Sequence, residues 1–484
     1  MKSRNLLQKA QLPDNAPDFE VTGIIIDSRE AGPGKIFVAL RGTKTDGHRF
    51  VQSAFEKGCQ LCVTEEEMPG CIKVSDTKVA YAALSHAFFD FPSKSLKLAG
   101  ITATNGKTTI SHMLAHLLKS VDPKVGLIGT AGHYLPSGRI HPDIKNPVTT
   151  PFPTQLDEYF SIMRDAGTKH AVLEVSSFGL EGGRLIGYEF DVMAIANISA
   201  CHHSDFHGNQ ENYANVKLHS LYLLKADGVA ILNVDDPLFL KAAKISGSKE
   251  MLTFGESASD FRLLDLIPEK TGSLVSAEIH GKKTSFELNL PAKVNALNAL
   301  CALAMFEGLG YDPLPVTDRL ASMPSIIGRW NWVDRGQPFT IVVDKANTPE
   351  ALRIVGQHMD SVGAKKKIAV ICTVGEGGAQ GRLEMASVAA KAFDFIIVSY
   401  DDAKDEDPDR IIEELSGYLE KFGANFIAIP DRATAINHSI KIAHEGDFVA
   451  ILGRGDEDGM YLKGKWVKVD DLTETQNALK GLGW

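Results

Sequence analysis

Residues 96–118, LKLAGITATNGKTTISHMLAHLL, set the strongest constraint on what this chain can become. The segment passes from a short apolar run through a turn at Gly106 into helical spacing of apolar residues, the layout of strand, loop and helix around a bound nucleotide. Such a loop needs small residues so that backbone N–H groups reach phosphate oxygens, a lysine to offset their charge and a hydroxyl for magnesium. Thr104, Asn105 and Gly106 suit the loop, and Lys107, Thr108 and Thr109 suit the charged and hydroxyl positions. The spacing departs from the standard phosphate loop, since Gly100 stands six residues before Gly106 rather than five. A plain helix start capped by threonine would also read Gly-Lys-Thr-Thr; the apolar strand before it and the amphipathic helix after it favour ATP.

The rest of the chain has the same α/β character. HAVLEVSS, FDVMAIANIS and GVAILNVDD are continuous apolar runs separated by helical stretches, as in a parallel sheet buried on both faces. A second such series, TIVVD, KIAVICTV, FDFIIVSY and FVAILG, follows. With 484 residues, the expectation is three domains: a small α/β unit over 1–95, a central P-loop-type ATPase domain with a parallel sheet over 96–325, and a C-terminal Rossmann-like domain over 326–484.

A formal net charge of −10 argues against a surface that tracks nucleic-acid phosphates or an anionic membrane, so small substrates are favoured. Nowhere do about 18 consecutive apolar residues occur, and no membrane span is expected. Cys59, Cys62, Cys71, Cys201, Cys301 and Cys372 lie in mostly apolar surroundings, which, with no secretory leader at the start, points to a reducing cytoplasm. Cys59-x-x-Cys62 has no second pair to complete a zinc ribbon, so buried structural thiols are expected.

CHHSDFHG, residues 201–208, invites a metal assignment. Zinc is disfavoured: His202 and His203 are adjacent and diverge, and Cys201 lacks a nearby partner thiol. The stretch follows a buried strand, where strand ends open into a crevice, and Glu174 at the end of HAVLE supplies a hard oxygen ligand suited to Mg2+. Loop histidines without a metal remain the alternative.

GITATNGKTT, LEVSSFGLEGGR, NISACHHSDFHGNQENYANVK, PAKVNALN, GRWNWV, VVDKANTPEAL and ILGRGDE occur in the order found in Mur ligases, and DSREAGPGKIFVALRGTKTDGHRF resembles the uridine-binding domain of the members that add the third amino acid. That resemblance implies an ATP-dependent amide-bond ligase of peptidoglycan synthesis that joins an amino acid, a diamino acid by preference, to UDP-N-acetylmuramoyl-L-alanyl-D-glutamate through an acyl phosphate. It further implies that Lys107 acts on the transferring phosphate. Lys217 would be a carbamylated lysine that holds magnesium with Thr108, Glu174 and His203. Asn295, Arg329 and Asp344 would meet the nucleotide, and Ser28, Thr149, Thr150, Ser176 and Arg184 the UDP-sugar. Asp402, Lys404, Gly453 and Glu457 would meet the amino acid. A monomer is expected.

Several positions depart from the family pattern. DKANTP stands for DYAHTP, Asp401-Asp402-Ala403-Lys404 for DNPR, and Gly453-Arg454-Gly455-Asp456-Glu457 for GKGHE; Phe178 and Gly182 replace a histidine and a glutamine. A Mur-type ligase with another acceptor or amino acid, or a catalytically inactive ATP-binding relative, therefore stays open. Retention of Lys107, Glu174 and Lys217 weighs against the inactive form.

Overall fold

The computed structural model describes residues 1–14, 16–42, 45–140, 148–199, 207–247, 249–375 and 378–484. His202 and His203, with the rest of 200–206, lie outside them. The chain forms two compact units, Met1–Arg262 with Leu300–Val316, and Leu263–Ala299 with Thr317–Trp484.

The first unit begins with a parallel four-stranded sheet, Gly23–Ile25, Lys35–Val38, Leu61–Thr64 and Cys71–Lys73, paired in chain order. Side chains alternate across it. Ile36, Val38, Leu61 and Val63 pack with Leu6, Leu7 and Leu84, while Phe37, Cys59 and Cys62 face a second cluster with Val51 and Ala54. The thiols of Cys59, Cys62 and Cys71 are pushed up by burial, as expected for inert structural cysteines.

A larger sheet follows. Six of its strands, parallel to one another, run in the spatial order Met251–Gly255, Leu224–Asn233, Phe190–Ile195, Lys97–Thr102, His170–Glu174, Gly126–Gly129. The strand bearing the phosphate loop is therefore central, and its neighbours come from distant parts of the sequence. Leu98, Leu173, Met193 and Leu232 sit in one contiguous core with Leu156, Phe160 and Leu218 from the helices. Burial on both faces explains why these strands read as unbroken apolar runs.

The second unit holds a sheet ordered Asn331–Trp332, Thr340–Asp344, Phe448–Leu452, Lys367–Ile371, Phe395–Val398, Phe426–Ala428, parallel except at its first pair. Arg432 and Asp471, both fully buried, form a two-pronged ion pair at 3.0 and 2.7 Å. Arg432 also donates to Ser399 Oγ and to the Leu452 carbonyl, each at 2.8 Å, so a helix N-terminus is tied to two strand ends. Among the described residues no helix is long and apolar enough to cross a membrane.

Candidate active site

Three adjacent strands of the central sheet, Lys97–Thr102, His170–Glu174 and Gly126–Gly129, end side by side. The first runs into the loop Ala103–Gly106, after which Lys107 opens a helix to Leu118. Asn197, just past the Phe190–Ile195 strand, holds that loop: its Oδ1 accepts from Asn105 N at 2.9 Å and its Nδ2 donates to Asn105 O at 2.8 Å. Thr104 Oγ1 lies 3.2 Å from Tyr213 OH and accepts from Ser199 N at 3.0 Å. The Lys107 ammonium folds back to the Ala103 carbonyl at 2.8 Å.

Glu174 is fully buried at the end of its strand. Its Oε2 accepts from Thr108 Oγ1 at 3.2 Å and from Thr130 Oγ1 at 3.0 Å; its Oε1 accepts from Thr130 N at 3.2 Å and Ser111 Oγ at 3.4 Å. A side chain at Gly129 would run into this carboxylate, with a Cβ 2.2 Å from Oε1, so glycine makes the room. A buried carboxylate ringed by hydroxyls is a hard-oxygen donor set, and it fits Mg2+ rather than a softer ion. Among the described residues no group of three or more His, Cys, Asp or Glu side chains forms a metal cage by itself.

Lys217, on the Gln210–Leu218 helix, is 2% exposed. Its ammonium donates to the Ala103 carbonyl at 2.8 Å and to Thr102 Oγ1 at 3.3 Å, and stands 5.0 Å from the centre of the Tyr213 ring. His207, the described histidine of the 201–208 stretch, pairs with Glu181 Oε2 at 2.6 Å.

The expected UDP-sugar residues of the central sheet gather next to Glu174. Thr149 Oγ1 is 3.0 Å from Thr130 Oγ1; Thr150 Oγ1 donates to the Glu174 carbonyl at 2.8 Å and lies 3.0 Å from Ser176 Oγ; Arg184 donates to the Thr150 carbonyl at 2.7 Å. Ser28 lies apart from them, in a turn of the four-stranded sheet, where its carbonyl accepts from Lys57.

In the second unit, Asp344 ends its strand with both carboxylate oxygens accepting backbone N–H groups, from Trp330 and Ala346, at 2.8 Å. Burial lifts this carboxyl above the usual range, against the pull of Arg329. Asn295, in the first turn of the Lys293–Gly308 helix, donates to the carbonyl of Pro291 just before that helix and accepts from Asn298 within it. Gly453 donates its N–H to the Asp344 carbonyl at 3.1 Å. Lys404 pairs with Asp402 at 2.9 Å. Glu457 is held by Lys345 at 3.2 Å and Arg454 at 3.6 Å, and burial raises its carboxyl. Lys345 also reaches Asp456 at 2.9 Å, and Arg329 approaches the same Asp456 oxygen at 3.8 Å.

Thr130, Ser111, Asn197 and Lys345 were not singled out from the sequence. For Thr130 a signal existed, a glycine and a hydroxyl at the end of the apolar run GLIGT; for the others, contact is made only through neighbouring elements.

Matches to known proteins extend along the chain. Residues 20–88 match the model described as Mur ligase family, catalytic domain; residues 101–306 match the Mur ligase middle domain; residues 328–455 match the Mur ligase, glutamate ligase domain. The UDP-N-acetylmuramoyl-L-alanyl-D-glutamate–2,6-diaminopimelate ligase of Syntrophomonas wolfei is 31% identical, covering 97% of both chains, and that of Aquifex aeolicus is 33% identical over 96% of this chain and 94% of its own. A UDP-N-acetylmuramyl-tripeptide synthetase of Roseiflexus is 31% identical over 99% of this chain and 98% of its own. Among solved structures, a UDP-N-acetylmuramoyl-L-alanyl-D-glutamate–2,6-diaminopimelate ligase superposes with a TM-score of 0.69 at 26% identity, covering all of both chains. With relatives this similar from end to end, and with the nucleotide loop, buried glutamate and lysine drawn together at adjoining strand ends, this chain belongs to the Mur ligase family.

Proposed function

We propose that the chain is an ATP-dependent ligase that adds meso-diaminopimelate to UDP-N-acetylmuramoyl-L-alanyl-D-glutamate in the cytoplasm, acting as a monomer in peptidoglycan precursor synthesis. The observation that carries this reading is the buried Glu174 carboxylate, flanked by Thr108 of the nucleotide loop on one side and by Thr149, Thr150 and Ser176 on the other. ATP and the UDP-linked acceptor would then meet across one carboxylate. The functional divisions at 95/96 and 325/326 are proposed on the spans of the three family models.

A carboxylate resists attack by an amine because its leaving group would be oxide. Transfer of the ATP γ-phosphoryl group to a carboxylate oxygen releases ADP and gives an acyl phosphate; the amine then bonds to the carbonyl carbon, loses a proton, and phosphate leaves. Lys107 and the loop N–H groups would face the charge of the transferring phosphoryl group, where positioning and electrostatics supply most of the acceleration. Glu174 and Thr108 would hold Mg2+, with Lys217 as its carbamate and, on the resemblance alone, His203; bound there, the ion offsets phosphate charge. Carbamylation is supported by the surroundings of Lys217, whose ammonium converges with that of Lys107 on one carbonyl: conversion to an anion replaces a like-charge pair by an opposite one. Arg184 offers a planar fork suited to a diphosphate. Asn295, Arg329 and Asp344 are assigned to the nucleotide, Ser28 to the UDP-sugar, and Asp402, Lys404, Gly453 and Glu457 to the amino acid, with Glu457 at its distal ammonium and Lys404 at its distal carboxylate on the resemblance alone.

The test is to incubate the protein with ATP, magnesium, UDP-N-acetylmuramoyl-L-alanyl-D-glutamate and a pool of amino acids, following phosphate release and product mass. A product heavier by one diaminopimelate residue is expected, and no acceptor-dependent phosphate release would defeat the reading. One observation favours a different amino acid at the same acceptor: Glu457, assigned to the distal ammonium, already holds Lys345.

A further inference from the structure

His86, on the Thr77–Phe88 helix, turns both ring nitrogens toward acceptors. Nδ1 is 2.9 Å from Asp157 Oδ2, and Nε2 is 2.9 Å from the Ile186 carbonyl oxygen. A carbonyl oxygen can only accept, so Nε2 carries a hydrogen. Asp157 Oδ2 already accepts the Ser85 hydroxyl at 2.5 Å, and Oδ1 the Tyr188 hydroxyl at 2.9 Å, the behaviour of an ionised carboxylate; Nδ1 therefore carries a hydrogen too. The ring is an imidazolium in a buried ion pair. Burial by itself lowers the affinity of His86 for its second proton, but the hydrogen bond and charge of Asp157 and the Ile186 carbonyl outweigh burial and the opposing Lys94, and the net displacement is upward.

Residue 187 adapts to this contact. A Cβ there would stand 2.7 Å from His86 Nε2, and the backbone has φ +81°, so only glycine lets the ring reach the carbonyl without strain. The segment Glu181–Tyr188 is gripped at further points: Lys78 donates to the Glu181 carbonyl at 3.3 Å, and Tyr188 bonds Asp157. Arg184 lies within this segment. Its guanidinium is 4.3 Å from the centre of the Phe152 ring, and its Nε is buried with no partner among the described residues.

From this arrangement we propose that His86 is a positioning residue: as an imidazolium it pins the segment bearing Arg184, so that the guanidinium is set for the diphosphate of the UDP-linked acceptor, and deprotonation releases that hold. The assignment rests on the proposed function. Because the proton is held more tightly in the folded chain, the grip is complete at low pH and is lost as pH rises through the raised value. A neutral ring must turn a lone pair toward either the carboxylate or the carbonyl. The groups facing the ring are Asp157 from the Pro153–Asp165 helix, Tyr188 from the pinned segment and Lys94 from the Pro92–Ser95 turn; Tyr81, on the same helix as His86, bonds Thr154. Burial pushes the Tyr81 phenol up to about 12 and that of Tyr188 well above its ordinary value, so neither titrates near neutrality.

The experiment measures binding of UDP-N-acetylmuramoyl-L-alanyl-D-glutamate to the full chain by calorimetry between about pH 6 and 9, without ATP or amino acid, so that no substrate amine titrates. Affinity is expected to weaken about tenfold as His86 deprotonates, the equivalent of one charged hydrogen bond. His86→Gln should bind about tenfold more weakly at pH 6, with a flat profile, and should bind ADP as the wild type does. Should that variant fold poorly, Asp157→Asn is expected to move the break to lower pH. Wild-type affinity and slope in His86→Gln, or an unmoved break in Asp157→Asn, overturns the inference and leaves the proposed activity standing. If Arg184→Ala keeps full acceptor affinity at every pH, the acceptor site itself is wrongly placed and the inference falls with it.

Discussion

The ammonium groups of Lys107 and Lys217 both donate to the carbonyl oxygen of Ala103, each at 2.8 Å. One lysine comes from the helix that follows the loop and the other from the Gln210–Leu218 helix, and the shared acceptor is the first residue of the loop itself. Their chemical roles are nonetheless expected to be opposite.

Lys107→Ala should lower kcat by about 100- to 1,000-fold, the usual cost of removing one preorganised charge-stabilising donor, with little change in the melting temperature. Steady-state phosphate release and a thermal melt on the same preparation check both. Wild-type turnover would remove Lys107 from the reaction.

Lys217→Ala should be as damaging, but for want of an anion. A small carboxylate such as acetate is expected to restore part of the activity in Lys217→Ala and none in Lys107→Ala. Activity of the unsupplemented Lys217 variant equal to wild type would exclude the carbamate.

Thr130→Val removes a hydroxyl 3.0 Å from Glu174 Oε2 while keeping the shape of the side chain. An outer hydroxyl that orients a metal-binding carboxylate is worth about 10- to 100-fold in metal affinity, so the magnesium concentration for half-maximal activity should rise by that factor. An unchanged magnesium titration would mean that Glu174 needs no such support.

Lys345 pairs with Glu457, and on the proposed assignment it would compete there with a substrate ammonium. Lys345→Met should therefore lower KM for meso-diaminopimelate at pH 8 by about tenfold, as expected for freeing one charged contact. Burial already holds the Glu457 carboxyl above its usual range against the pull of Lys345 and Arg454, so its anion is lost as pH falls through that raised value, and the proposed binding of a distal ammonium should be lost with it. Removing Lys345 should shift this loss to still higher pH. With L-lysine as substrate, Lys404, on its proposed role, has no distal carboxylate to meet, and kcat/KM should be lower than for meso-diaminopimelate; the reverse preference would mean that the pocket is misassigned.

Asp471→Ala leaves the fully buried Arg432 guanidinium without its ion-pair partner. Breaking a buried pair in this way costs about 3–5 kcal/mol, to be read from urea denaturation of the variant against wild type. A loss below about 1 kcal/mol would place the pair among the weakly contributing ones.

The sequence alone determined those features whose causes are local. The run from Leu98 through Leu118 reads as strand, loop and helix because each element declares itself by the spacing of its own apolar residues, and Lys107 and Thr108 sit at positions set by those elements, as Glu174 does at the end of its own apolar strand. Only the tertiary structure decided which strand ends lie side by side. The order Phe190–Ile195, Lys97–Thr102, His170–Glu174, Gly126–Gly129 places Asn197, Ala103, Glu174 and Thr130 in a row, and nothing in any one segment announces its neighbour. The same holds for His86 against Asp157 and Ile186, and for Lys345 against Glu457. Each of these residues offers only an ordinary polar side chain or backbone carbonyl on its own element; its contact arises when long-range packing closes a distance of a few ångströms, and periodicity, which records only which face is buried, carries no information about the partner on the other side.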